Sequence, residues 1–195
     1  MNPDDDASAD PAARDCFISV DVETTGPNPG SYAMLSLGAC LLLDPEQGFY
    51  VELKPDSDRV EVDALAVSGL SLAELARTGA EPAAAMGQFA DWLARVVPAG
   101  QRPVMVGFNA PFDWMFVCEY FGRYLGRNPL GHSAIDIKAY YMGLTGVTWS
   151  ETSMSFLAEH YLQGRALTHN ALGDARDQAE LFRRMLADAP AHRRP

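Results

Sequence analysis

Cysteine is scarce in this chain of 195 residues: Cys16, Cys40 and Cys118 are the only three. The count is odd, the spacings are wide and no Cys-x-x-Cys pair occurs, which excludes a disulfide framework or a paired-cysteine zinc site. Each lies in an apolar run, so buried free thiols in a reducing, cytoplasmic setting are expected. Long apolar stretches are missing as well. The longest fully apolar runs are short, such as Ala39–Leu43, and none reaches the ~18 residues that span a bilayer, so no membrane contact is expected. The opening Met-Asn-Pro-Asp-Asp-Asp has neither the basic nor the apolar region of a secretory signal. Cations are few: two Lys and 13 Arg stand against 26 acidic residues, a net charge of −11. That excludes a broad basic surface for long nucleic acid. It leaves room for an enzyme that meets phosphate through bound metal ions.

What is present suits one globular domain, with 48 % apolar and 21 % charged residues. Residues 1–15 hold five Asp against one Arg and read as a disordered acidic tail. The domain is expected over 16–188, with a frayed end at 189–195. Cys16–Val22 is rich in Ile and Val and predicts a buried strand. Gly26-Pro-Asn-Pro-Gly-Ser31 is a turn, Met34–Leu43 a second strand and Phe49–Leu53 a third, making an antiparallel meander. Asp63–Ala76 carries weak helix signals. Pro82–Val97 has apolar residues at helical spacing behind an N-terminal Pro. Val104–Val106 is a short strand. Asn109 reads as the cap of a helix reaching Leu125, and Ser133–Ile137 as a fifth strand with a helix after it. Gly143–Ser153, with Trp149, reads as a loop, and Ser155–Leu162 as a short helix. Ala171–Ala187 reads as an amphipathic helix capped by Asn170, with Leu172, Ala175, Ala179, Phe182 and Leu186 on its apolar side. Three strands followed by alternating helices and strands predict an α/β domain with a mixed sheet and helices on both faces.

Three places carry candidate chemistry. In Phe17-Ile-Ser-Val-Asp-Val-Glu23, Asp21 and Glu23 share one face of the strand while Val20 and Val22 face the other way. Adjacent carboxylates stay ionised only beside a cation, and no Lys or Arg occurs between residues 15 and 53. A divalent ion is the natural neutraliser, and hard oxygen ligands favour magnesium or manganese; a solvated acidic strand end is the alternative. In Gly107-Phe-Asn-Ala-Pro-Phe-Asp113, Asp113 falls in the first turn of a helix, where by itself it simply stabilises that helix. In His169-Asn-Ala-Leu-Gly-Asp174, five residues separate the two side chains. They lean over one cleft only if His169 lies on the loop entering the helix; otherwise they are a surface His and an ordinary helix Asp.

The ordered set Asp21-x-Glu23-Thr-Thr-Gly26, Asn109-x-x-Phe-Asp113 and His169-x-x-x-x-Asp174 resembles the three motifs of the DEDDh, or DnaQ-like, 3′–5′ exonuclease superfamily, which includes RNase T, oligoribonuclease and the proofreading epsilon subunit of polymerase. Separations of 92 residues from Asp21 to Asp113 and 61 from Asp113 to Asp174 fit that family. The resemblance runs from about Phe17 to Leu186. It implies an RNase H-like mixed five-stranded sheet flanked by helices on both faces. It also implies two divalent metal ions, Mg2+ or Mn2+, held by Asp21, Glu23, Asp174 and Asp113, with His169 as general base. By the same resemblance, Thr24 and Thr25 occupy the turn that meets the terminal nucleotide, and Asn109 and Trp114 are candidate sugar or base contacts. Phe108 departs from the family, whose members often place His there. Asp177 is expected on the helix surface, and Asp136 is a candidate to support the direct ligands.

The implied activity is hydrolysis at the 3′ end of short or single-stranded RNA or DNA, releasing nucleoside 5′-monophosphates; RNase T-like relatives also bring a homodimer into view. Two other readings belong beside it: a catalytically silent nucleic-acid-binding or scaffold module on the same fold, and a metal phosphohydrolase acting on a small nucleotide. The acidic balance implies that an exonuclease of this kind grips only the last few nucleotides. The slope of log affinity against log salt for short oligomers is therefore expected to be shallow, and a value steeper than about −5 would contradict it.

Overall fold

The computed structural model describes residues 14–165 and 168–189. The expectations for residues 1–13 and 190–195 lie outside the described residues. The first apolar run becomes the central strand, β1 (Asp15–Thr24). It starts one residue before the expected boundary, because Asp15 pairs in register with Arg102 and bonds its guanidinium at 2.8 Å. β2 (Met34–Leu41) and β3 (Gly48–Glu52) add the antiparallel meander. The weak helical region is two helices, α1 (Val62–Ser68) and α2 (Leu72–Thr78). Gly69 in the left-handed region ends the first, and the Ser71 side chain caps the second.

The chain continues through α3 (Pro82–Val96), β4 (Arg102–Gly107), α4 (Ala110–Leu125) and β5 (Ala134–Asp136). It ends with α5 (Ile137–Thr145), a 3-10 turn at Trp149–Thr152, α6 (Met154–Tyr161) and α7 (Ala171–Asp188). The segment expected as a loop over Gly143–Ser153 thus holds the end of α5 and an ordered turn. The sheet order is β3-β2-β1-β4-β5, with β4 and β5 parallel to β1. This is the expected mixed five-stranded α/β sheet. One face carries a core of Ile18, Val20, Val22, Phe89, Phe116, Tyr120 and Phe121, closed by α3 and α4. The other packs Val106, Ile137, Leu157, Ala175, Ala179 and Phe182 under α5, α6 and α7. No helix among the described residues is long and apolar enough to cross a membrane. Cys16, Cys40 and Cys118 are free, with Cys40 fully buried.

Two details differ from the expected caps and stripes. Asn109 sits in the left-handed region (φ 61°) and its side chain caps nothing. The start of α4 is instead held from across the sheet, where Asp136 Oδ2 accepts the Ala110 N–H at 2.7 Å. Asp136 Oδ1 also caps its own helix by accepting the Ala139 N–H. On α7, Leu186 is exposed rather than buried, while Leu181 and Met185 join the core. Asn170 caps this helix as expected, accepting the Gly173 N–H.

The seat of α7 on the sheet depends on Gly38 of β2, which lies directly opposite Asp21. A Cβ at Gly38 would stand 2.2 Å from the backbone of Ala171 and Leu172. Only glycine lets the first turn of α7 lie this close to the strand. Gly38→Ala is therefore expected to cost about 1–3 kcal/mol, since backbone cannot yield as a side chain does. Thermal melting should report a fall of several degrees; an unchanged Tm would show that the helix start is not pressed on β2.

Candidate active site

Strand alternation and helix starts deliver four carboxylates to one edge of the sheet. Asp21 and Glu23 project from the C-terminal half of β1 on the α7 side, half-buried, while Val20 and Val22 enter the opposite core. Asp113, in the first turn of α4, is 4 % exposed, and its Oδ1 accepts the Val22 N–H at 3.0 Å. That bond inserts the carboxylate into β1 between Asp21 and Glu23. Asp174, one turn into α7, is 2 % exposed. Its Oδ1 takes the Thr168 N–H at 2.8 Å and the Thr168 hydroxyl at 3.1 Å. Its Oδ2 takes the His169 N–H at 3.0 Å.

These bonds bind the loop before α7 to the helix and bring His169 over the acids. One ligand-capable atom from each of Glu23, His169 and Asp174 lies within 4.8 Å of the other two. His169 itself is exposed and left-handed (φ 54°), a conformation uncommon outside glycine. The structure therefore brings the five candidates Asp21, Glu23, Asp113, His169 and Asp174 together.

The remaining candidates differ in kind. The Thr24 hydroxyl donates to the Gly26 carbonyl, and the Thr25 hydroxyl accepts the Ala33 N–H. Both side chains are buried and spend their hydroxyls on the turn after β1. Asn109 is exposed at the start of α4, and Trp114 is half-buried against the core beneath that helix. Asp177 corrects the expectation of a surface residue: it is 6 % exposed and paired with Arg165 at 2.5 Å. An acid there stays inside because the loop before α7 supplies a guanidinium.

Gln178 went unnoticed in the sequence and is 1 % exposed. Its Oε1 accepts the Phe108 N–H at 3.0 Å and its Nε2 donates to Asp21 Oδ1 at 2.7 Å. Because the backbone N–H can meet only the amide oxygen, the NH2 is forced toward the carboxylate. Gln178 thereby fixes Asp21 and links it to the β4–α4 junction. The signal available in the sequence was a polar residue four positions after Asp174, on the buried stripe of an amphipathic helix.

The electrostatics follow from crowding. Removal from water, then the charges of Asp113, Glu23 and Asp174, push Asp21 well above the usual carboxylate range. Burial and the Asp174 charge push Glu23 up to about 7. Burial is also the main cause at Asp113, pushed up to about 8, with Glu23 and Asp136 adding to it and the Val22 N–H opposing it. Among the described residues no Lys or Arg forms an ion pair with Asp21, Glu23, Asp113 or Asp174. Clustered hard oxygens without a cationic side chain suit divalent cations such as Mg2+ or Mn2+.

The sign of the pH effect is fixed by these shifts. Without metal, the folded protein holds protons that the unfolded chain releases, so its stability falls as pH rises from about 4 to about 8. Melting in chelator should therefore show Tm declining across that range. Added Mg2+ or Mn2+ should raise Tm more at the alkaline end. A Tm in chelator that is flat or rising through neutrality would refute the crowding.

Residues 18–182 match the RNase_T exonuclease family model. Over 170 residues the chain is 47 % identical to the 3′–5′ DNA exonuclease Cap18 of Escherichia coli, covering 87 % of this chain and 91 % of that protein. Among solved structures, the nuclease domain of 3′hExo, a DEDDh family member bound to rAMP, superimposes with a TM-score of 0.75 at 17 % identity. That match covers 92 % of this chain and 95 % of the other. Exonuclease I of E. coli, in complex with single-stranded DNA, gives a TM-score of 0.64 at 21 % identity, over 90 % of this chain and 40 % of the other. Proteins of the family use divalent metal ions, and the chain belongs to the RNase_T exonuclease family as a 3′–5′ exonuclease.

Proposed function

We propose that the protein removes nucleotides one at a time from the 3′ end of single-stranded or short DNA, with two divalent ions and His169 as the general base. The observation that carries this reading is the convergence of four carboxylates and one histidine from β1, α4 and the start of α7 on one edge of the sheet. The identity to a DNA exonuclease supports DNA as the substrate. The presence of all five side chains speaks against a silent module of the same fold.

Asp21, Glu23 and Asp174 would hold the ions, with Asp113 completing the set directly or through water. Four carboxylates offer enough negative charge for two dications while leaving positions for phosphate and water. When bound, two such ions supply the charge stabilisation that the attacking and leaving oxygens of a phosphodiester require. His169, exposed on its loop and held through its own N–H by Asp174, takes the proton from the attacking water. The turn at Thr24 and Thr25, stiffened by its internal hydrogen bonds, forms the wall against which the terminal nucleotide rests.

A 5′-labelled oligonucleotide with Mg2+ should shorten in single-nucleotide steps and release nucleoside 5′-monophosphates. Asp21→Ala should abolish the ladder. His169→Ala should lower kcat by about 10²–10⁴-fold, the usual share of a general base, and regain part of the rate at high pH. A free 3′ end left intact by the wild-type protein, or products that are nucleosides, would sink the proposal.

A further inference from the structure

Phe108, Lys138 and Trp149 form a layered stack on the α7 side of the sheet, the side that carries the acid cluster. The Lys138 ammonium lies 4.1 Å from the centre of the Trp149 ring and 5.8 Å from that of Phe108. Topology puts this stack at the catalytic edge. β1, β4 and β5 run parallel, so their C-terminal ends lie together. Asp21 and Glu23 sit near the end of β1, Phe108 directly follows β4, and Lys138 follows β5 by two residues. Hydrogen bonds also connect it to the acids: the Phe108 N–H binds Gln178, which holds Asp21.

Trp149 is an unusual residue to leave outside. It is 52 % exposed, although its turn is rigidly made. Glu151 Oε2 accepts the Thr148 N–H at 2.9 Å and the Thr148 hydroxyl at 2.7 Å. The Thr152 hydroxyl closes back on the Trp149 carbonyl at 2.7 Å. The indole is therefore presented on a fixed support, with the ammonium against one face and more than half of the residue open to solvent. Lys138 is one of only two lysines in a chain of net charge −11.

We propose that this stack is a binding subsite for single-stranded DNA upstream of the scissile bond: an unpaired base stacks on Trp149, and Lys138 meets the neighbouring phosphate. The inference rests on the exonuclease reading for its ligand. The chemistry selects an unpaired strand, because a base inside a duplex has no free face to offer an exposed indole. One cation beside an aromatic platform also suits a protein with few positive charges, since stacking needs no basic track.

The test separates a subsite from the catalytic centre. Trp149→Ala should raise KM for a single-stranded DNA decamer by about 5- to 150-fold, the range of one lost base stack. It should leave KM and kcat for the p-nitrophenyl ester of thymidine 5′-monophosphate within about twofold, since that substrate ends before the subsite. Trp149→Phe should restore most of the oligomer KM. Lys138→Met should flatten the salt slope of oligomer binding by about 0.7, the value for one phosphate contact on a single strand. Anisotropy of a labelled decamer in Ca2+ reads binding without turnover, so it judges the stack even if the wild-type protein proves inactive and the exonuclease reading fails. Equal oligomer affinity in wild type and Trp149→Ala would overturn the subsite. So would an equal loss on the mononucleotide ester, which would make the stack a support for the catalytic centre.

Discussion

Like charges held together against their repulsion are the constraint on which this structure depends. Four carboxylates at one sheet edge would fly apart on a flexible chain, and three of them are fixed by something other than a cation. Asp113 is fixed by the Val22 N–H, Asp21 by the Gln178 amide, and Asp174 by the backbone of Thr168 and His169. Every one of these partners is a neutral hydrogen-bond donor. Neutral donors anchor a carboxylate without cancelling its charge, so the site keeps its attraction for divalent ions. An ion pair with Arg would have fixed the same side chains and removed the reason for their being there. The contrast lies on the same helix, where Asp177 and Glu180 are answered by the Arg165 guanidinium and serve structure alone.

The fold can be read as the means of supplying those donors. A parallel pair, β1 and β4, places two chain reversals side by side, and α4 begins at one of them. Asp136, from the end of β5, reaches the first N–H of that helix and its own helix at once. It therefore sets where Asp113 stands without touching the other acids. On the opposite flank, Gly38 removes the side chain that would keep α7 off the strand, directly across from Asp21. Gln178 then ties α7 to the β4–α4 junction across β1. Three separate segments thus converge because one glycine, one glutamine and one aspartate each remove or satisfy a group that would otherwise hold them apart.

Much of this was legible in the chain. The meander and the amphipathic α3, α4 and α7 follow from local patterns of alternation and apolar spacing, whereas the five motif side chains stand out only through the family resemblance of their ordered set. What was not legible depends on partners distant in sequence. The break at Gly69 within weak helical signals needs a left-handed glycine that spacing does not announce. Asn109 has the residue type of a cap, yet Asp136, 27 positions later, holds the helix start. Asp177 looks like a solvated acid on an amphipathic helix until Arg165 is seen against it. Gln178 carries no charge and belongs to no motif, and its value appears only when Phe108 and Asp21 lie on either side of it. Local rules place each side chain on a face; they do not say which other segment will occupy that face.

The net charge of −11 poses a last physical question, because a polyanion must approach an acidic protein. Under the proposed mechanism, divalent ions would reverse the sign only around the four carboxylates, over a few ångströms, and salt screens whatever repulsion lies beyond about 10 Å. A strand passing outside that small region meets no broad positive surface to follow. Its bases, however, are neutral and planar, and their affinity for an aromatic face is little affected by the charge of the protein behind it. An exposed indole backed by a single ammonium is the kind of grip such a surface can offer without giving up its acidity. Holding the substrate by its bases and its last phosphate, instead of along its whole backbone, favours ends over interiors, as an enzyme that works from a terminus requires.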